Sequence, residues 1–393
     1  MAFVKRNLRT FLMVFALILV LGSAYFFFAE EGFLSARIPG TPSASTITSY
    51  KDKVATEDLA DAPTLSLGFN NADQVVEAIG GGTNLVWVTS ENELQFVTRS
   101  KQGQITSTLT LVEAPVSLPA IARYETLVSV GWVEQTEKTP SIRVSVSNDG
   151  GAHFDEAVTL GTGSGLSLAA SDGKIVAVWH DDTDPEASQI LLSEYSDGAW
   201  SSPTRVDQSD AAPLWASVAM EGEDIYVTWR DNRDGTYKVW LRRYTDGAWQ
   251  EEQNLNSQNS ADPDLCVKGD YVAVAHQGKG DITLLQSTDG GVTFSSGVTV
   301  GQGYFAHLSC SDKATAIAWE YSTGTAKATD KQAGWALYTN TGTLIGNGIF
   351  EDVNVAATTV YLTPTSLFVE FLWILVGDEP LVGTLRHHTL SLY

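Results

Sequence analysis

The chain is poor in positive charge, in cysteine and in histidine, and it holds a single long apolar run. Of 393 residues, 24 are Lys or Arg against 47 Asp or Glu, for a formal net charge of −23. A phosphate backbone is bound by clustered cations, so this balance argues against nucleic acid as a partner; it also disfavours electrostatic adsorption to anionic lipid. Two cysteines, Cys266 and Cys310, are too few for a disulfide-stapled scaffold or a thiolate zinc site. The 6 histidines lack the spacing of a zinc helix or knuckle. The acidic stretches at residues 181–184 and 231–235 lack the alternating ligands and distal Glu of a calcium loop, and Arg233 stands where an oxygen is needed. Nor does a Gly-rich phosphate loop follow a strand and open a helix. No metal and no cofactor are expected. What the chain has in quantity is Gly (34), Trp (11), Tyr (13) and Phe (15), with 18% charged residues, which points to an all-β protein of tight turns and aromatic packing.

The apolar run is Phe11 to Ala29, 19 uncharged residues preceded by Lys5, Arg6 and Arg9. That length crosses a bilayer as a helix, and the flanking charge keeps the amino terminus cytoplasmic. The expectation is a basic cytoplasmic stub (residues 1–10), a transmembrane signal anchor (11–29) and an extracytoplasmic remainder at the cell membrane. The alternative is a signal peptide cleaved near Gly22-Ser23-Ala24 and a secreted product; the continuation through Tyr25, Phe26, Phe27 and Phe28 favours the anchor. Residues 30–62, small and polar without a helical or strand period, read as a flexible tether.

From residue 63 onward the chain repeats. Short apolar strands ending in an aromatic recur at Trp87, Trp132, Trp179, Trp229 and Trp319, with Ala275 and Phe371 taken as the same column in the fifth and seventh units. The spacings run from 44 to 52 residues, and each unit holds four short strand candidates separated by turns rich in Gly, Asp and Asn. Four strands per repeat of this length is the mark of a β-propeller blade. Residues 63–393 then divide into seven blades, with six as the alternative, and the aromatic column is inter-blade core.

Two turns between third and fourth strands carry a sharper motif. Ser147, Asp149, Gly151 and Phe154 fit S-x-D-x-G-x-x-F, as do Ser287, Asp289, Gly291 and Phe294; Asp197-Gly198 and Asp246-Gly247 are degenerate copies. In these turns the chain resembles the Asp-box, or bacterial-neuraminidase-repeat, propellers of the sialidase superfamily. The resemblance implies that the boxes are structural and lie on the face opposite the ligand site. It also implies three arginines that clamp a carboxylate, a Tyr–Glu nucleophile pair and an Asp acid/base, and here the match fails. Ala36-Arg37-Ile38-Pro39 is like the motif of the first arginine but stands in the tether. Arg230 and Arg233 share one unit, whereas a clamp draws on several. Glu320 and Tyr321, adjacent on a strand, point to opposite faces.

The reading is therefore a membrane-anchored, extracytoplasmic, sialidase-like β-propeller that recognises a surface glycan or an envelope protein without catalysis. The alternatives are a glycoside hydrolase of the exo-sialidase kind with a non-standard catalytic set, and a scaffold. No catalytic residue is assigned. The expected ligand face, on the loops joining second to third and fourth to first strands, comprises His180, Arg230, Arg233, His276 and Glu320, with Trp215, Tyr304, Phe305 and His307 at the inner-strand entrances. Aromatic faces beside hydrogen-bonding groups suit sugar rings. Cys266 and Cys310 each stand nine residues before their column residue, in adjacent units, and so form either one disulfide or two buried thiols. Closure of the ring is expected from Thr64–Phe69.

Overall fold

The computed structural model describes residues 54–62, 67–68, 71–135, 139–181, 183–184, 188–256, 258–322, 331–363, 368–376 and 383–391. The expected membrane segment (11–29) lies outside them, and among the described residues no helix is long and apolar enough to cross a membrane. All regular structure described is β. The strands run as antiparallel meanders in chain order. A first sheet is β2 to β5 (Val75–Glu77, Thr83–Val88, Glu93–Arg99, Ile105–Glu113), and a second is β6 to β9 (Val116–Tyr124, Leu127–Glu134, Ser141–Ser147, Val158–Thr162). The third is β10 to β14 (Ser164–Ser171, Lys174–Asp181, Gln189–Ser196, Ala199–Trp200, Thr204–Arg205). The fourth is β15 to β19 (Leu214–Glu221, Asp224–Asp231, Lys238–Thr245, Ala248–Trp249, Gln253–Asn254). A seven-stranded sheet follows, β20 to β26 (Ala261–Lys268, Tyr271–Gly278, Asp281–Ser287, Val298–Cys310, Ala314–Tyr321, Gln332–Thr339, Leu344–Ile349). It is two meanders run together through the 13-residue β23. The last sheet has β27 to β29 (Val355–Leu362, Phe368–Val376, Gly383–Ser391), and its outer strand is β1 (Val54–Ala62), which pairs antiparallel with β29.

That pairing corrects two expectations. Residues 54–62 are not tether but the strand that closes the array, and closure falls to them rather than to Thr64–Phe69, most of which lies outside the described residues. The amino-terminal strand pairs the outer edge of β29, so the last sheet is completed from the start of the described chain.

Hydrophobic clusters lie between successive meanders and hold them together. Leu166, Leu168 and Trp179 pack against Val144 and Val146 of the preceding sheet, and Val218 and Trp229 against Val176 and Val178. Leu372, Ile374 and Leu385 of the last sheet pack with Val75, Leu85 and Trp87 of the first, so the cycle returns to its start.

Each described inner strand from β6 onward carries the same bulge. Two residues oppose one of the second strand, and the first of the two has positive φ: Leu118, Gly165, Trp215, Asp262, Phe305 and Ala357. Left-handed backbone is uncommon outside glycine, and its recurrence at one end of the array marks a built feature. The residue opposite the bulge is Trp132, Trp179, Trp229, His276, Trp319 and Trp373 in turn. The repeat column thus passes through His276 and Trp373, not Ala275 and Phe371. The small residues of Val272 to Ala275 hide this one-residue offset in the sequence.

The S-x-D turns are held as their chemistry requires. Ser147 Oγ donates to Asp149 Oδ1 (2.8 Å) and accepts from the Gly151 amide (2.9 Å), and Asp149 accepts from the His153 amide (2.9 Å). Ser287, Asp289, Gly291 and Thr293 repeat the pattern at 2.7, 2.9 and 2.9 Å. Gly151 (φ +92°) must be glycine, since a Cβ there would lie 2.4 Å from the Phe96 ring. Cys266 and Cys310, on the inner strands of the two merged meanders, are joined by a disulfide with Cα atoms 5.7 Å apart.

Candidate functional site

The bulges gather the chemistry at one mouth of the array. Each second strand ends there, and the residue paired just before the bulge of the inner strand is His180, Arg230, Gln277 or Glu320 in successive meanders. Gln277 takes the place expected for His276, because the offset turns His276 into the core column. His276 is buried (6% exposed), and burial lowers its pKa to about 4, so it is neutral.

Arg230 reaches across to Asp262 of the next inner strand (Nη1 to Oδ1 3.3 Å), and its guanidinium lies 5.2 Å from the Tyr237 ring centre and 6.0 Å from that of Trp215. Burial raises the pKa of Asp262, with Arg230 opposing and Glu320 adding to the rise. Glu320 is also buried; its Oε1 accepts the Ala357 amide (2.9 Å) and its Oε2 takes the Lys331 ammonium. Burial works against the charge on Lys331, but Glu320 outweighs it and the pKa is raised. Lys331 Nζ stands 5.5 and 5.7 Å from the ring centres of Tyr304 and Phe305. His180 meets Ser164 Oγ through Nε2 (2.9 Å) and sits edge-on to Trp215, ring centres 5.7 Å apart.

Two expected members are engaged in structural contacts instead. Arg233 binds Asp231 (Nε to Oδ1, 3.0 Å) and Glu252, and stacks on Trp240 at 3.8 Å, bracing its own sheet. His307 is buried (1% exposed) against the stretch before β2: its Nε2 donates to Ala72 O (3.2 Å), and its Nδ1 accepts the Val360 amide (3.4 Å). Burial lowers its pKa to about 4.

The stretch of residues 71–74 forms the floor of this mouth. Asn71 Nδ2 donates to Gly165 O (2.9 Å) and Ala216 O (2.8 Å), Gln74 Nε2 reaches Pro119 O (3.3 Å), and the Ile121 amide donates to Asp73 O (2.9 Å). One short segment thereby touches inner strands of the second, third, fourth and seven-stranded sheets, which places it across the axis. Asp73 lies 3.4 Å from His307 Nε2. Packing around it pushes its carboxyl up to about 7, although 49% of the side chain is reached by solvent. Below it Asp264, fully enclosed, accepts Ser217 Oγ and the Leu308 amide (both 2.7 Å), and burial raises its pKa well above the carboxylate range.

The fold is that of a β-propeller. A polysaccharide lyase of family 25, an ulvan lyase bound to a glucuronate–sulfated rhamnose unit, superposes with a TM-score of 0.56 at 11% identity, over 83% of this chain and 94% of that one. A Trypanosoma rangeli sialidase in complex with the inhibitor DANA matches with a TM-score of 0.48 at 10% identity, over 74% of this chain and 57% of that one. A subtype N11 neuraminidase-like protein from a flat-faced bat in Peru matches with 0.47 at 11% identity, over 70% and 87%. The chain spans under three fifths of that sialidase's length. No family model matches the sequence, and no curated protein is similar to it.

Asp262, Gln277, Lys331, Tyr237 and the floor residues Asn71 and Asp73 were absent from the sequence-based set. Asp262 stands at the same repeat position as Trp215 and Phe305 once the column runs through His276, so the one-residue offset hid it. Lys331 and residues 71–74 had no signal, because they come to the mouth from outside the inner and second strands. A shallow cavity of about 290 Å³, lined by Tyr124, Glu125, Asn148, Tyr195 and Asp197 among others, lies at the opposite end with the S-x-D turns and gathers no convergent charges.

Proposed function

We propose that this chain is a membrane-anchored, extracytoplasmic, sialidase-like propeller of seven four-stranded blades that recognises a surface glycan at the mouth and does not hydrolyse it. The blade count takes the seven-stranded sheet as two blades, and the S-x-D turns as Asp-boxes at the far end. One observation carries the non-catalytic reading: the described cations at the mouth and beside it are already matched by carboxylates, Arg230 by Asp262, Lys331 by Glu320 and Arg233 by Asp231 and Glu252. A guanidinium clamp needs its forks open to the substrate. Aromatic rings beside buried polar groups support a sugar as the ligand.

The test applies the full-length chain in detergent to a glycan array and, in parallel, to a fluorogenic sialoside. Binding without turnover is expected. Turnover at an ordinary enzymatic rate, about 1 per second or more, would replace this reading with that of a glycoside hydrolase.

A further inference from the structure

The geometry points to an uncharged saccharide as the ligand of the mouth, with sialylated and uronate-bearing glycans refused. This rests on the recognition reading and goes beyond it in naming the chemical class. Arg230 and Lys331 would have to exchange a buried carboxylate for that of a ligand, with no gain in charge pairing and a loss in the carboxylate left behind. A ligand anion at the mouth would meet the carboxylates of Asp262 and Glu320 before it met an unpaired cation, and specificity commonly rests on such repulsion.

The atoms left over fit a hydroxyl. Among the described residues Arg230 Nε, a donor, and Gln277 Oε1, an acceptor, are buried without a hydrogen-bond partner. They stand at the same register position in neighbouring meanders, and Gln277 is 3% exposed. Buried polar atoms rarely remain unsatisfied. An unmatched donor and an unmatched acceptor at equivalent positions of neighbouring meanders suit sugar hydroxyls, which both give and accept, whereas a carboxylate can only accept.

The experiment titrates full-length protein in detergent with three probes on one scaffold: a neutral hexose oligosaccharide, the same capped with sialic acid, and the same ending in a uronate. Wild type should bind the neutral probe at least about tenfold more tightly than either anionic one, a difference of about 1.4 kcal/mol. Asp262→Asn uncovers Arg230 and should shift that ratio toward the anionic probes by about tenfold or more; Glu320→Gln does the same for Lys331 and serves if the first variant unfolds. Tighter wild-type binding of an anionic probe would overturn the inference and leave recognition standing. A ratio unchanged in both folded variants would overturn the charge-matching argument. Binding of none of the probes, with none captured on the array, would remove the recognition reading and this inference together.

Discussion

The guanidinium of Arg99, on the third strand of the first sheet, holds the carboxylate of Glu57, on the strand that completes the last sheet. Arg99 is buried and also bonds Gly103 O (2.9 Å) and His387 Nε2 (3.0 Å), with Glu370 3.6 Å away. Beside it Arg386 grips Asp58 through Nε (2.7 Å) and Asp352 through Nη1 (2.8 Å). The closing strand is therefore fastened by its acidic side chains as well as by its ladder. Deleting residues 1–62 should lower the melting temperature by many degrees, because it strips β29 of its outer partner and leaves Arg99 short of a carboxylate. Glu57→Gln should cost only about 1 kcal/mol, since Glu57 is partly exposed and Glu370 remains. An unchanged melting transition in the deletion would show that β1 does not close the ring.

Lowering the pH should loosen the same clasp. The pKa of Glu57 is lowered, chiefly by its hydrogen bond to His387, against burial and with help from Arg99. A carboxyl with a folded pKa below its unfolded one gives stability that is present above the unfolded value, near 4.5, and is lost as pH falls through the folded one. Glu57→Gln should therefore lie closest to wild type in stability at the acid end and fall further behind toward neutrality. Denaturant titrations from about pH 3 to about pH 7 check this; a constant gap would mean the carboxylate is not differentially stabilised in the fold.

The sequence discloses the repeat, the all-β class and the turn chemistry because each is local. Apolar alternation, Gly–Asp turns and the strand-end tryptophans Trp87, Trp132, Trp179, Trp229 and Trp319 are written within single strands or hairpins. It conceals what only the ring creates. Val54-Ala55-Thr56-Glu57-Asp58-Leu59-Ala60-Asp61-Ala62 carries three acidic residues and little apolar alternation, so it reads as tether until Arg99 and Arg386 arrive from elsewhere. The floor segment is hidden for the same reason: Asn71 finds its acceptors 94 and 145 residues away. At the mouth Trp215, Tyr304, Phe305 and Arg230 were legible as types, while Lys331 and the pairing of Arg230 with Asp262 depend on segments that only the fold brings side by side.

His276 occupies a tryptophan position, and it should make the protein acid-sensitive in its own window. Its pKa falls from 6.5 to about 4 on burial, so the fold is fully favoured above pH 6.5 and loses that advantage as pH drops toward 4, where the unfolded chain takes up a proton first. His276→Phe removes the titration. Between pH 6.5 and 4 the variant should therefore gain stability relative to wild type, whatever its offset at neutral pH. Parallel curves would show that His276 does not titrate differently on folding.

The S-x-D turns should matter to stability and not to binding. Ser147 is buried, and its hydroxyl serves both the Asp149 carboxylate and the Gly151 amide. Ser147→Ala leaves that amide unpaired and should cost about 1–3 kcal/mol. The same substitution at Ser287 should act alike, and the two should add, since they lie in separate turns. Glycan affinity at the opposite end should stay within about twofold of wild type. A large loss of affinity without a loss of stability would move the site to this end.

The disulfide ties two meanders that the long β23 already joins through the backbone. Cys266 and Cys310 enclose a sequence separation of 44. In the chain-entropy account a loop of that length restricts the unfolded chain by about 4 kcal/mol. Alkylating the unfolded, unreduced protein with iodoacetamide should add no carbamidomethyl group, and two should appear after reduction. Cys266→Ala with Cys310→Ala should lower the melting temperature by about 2–4 °C for each kcal/mol lost, less whatever the alanines cost or regain in packing. The mouth rests on the same two inner strands, through Asp262 and Phe305, so the double variant also reports whether the bond positions the site. Unchanged glycan affinity in a less stable protein assigns the bond to stability alone, whereas a matching loss of affinity assigns it to holding Asp262 opposite Arg230.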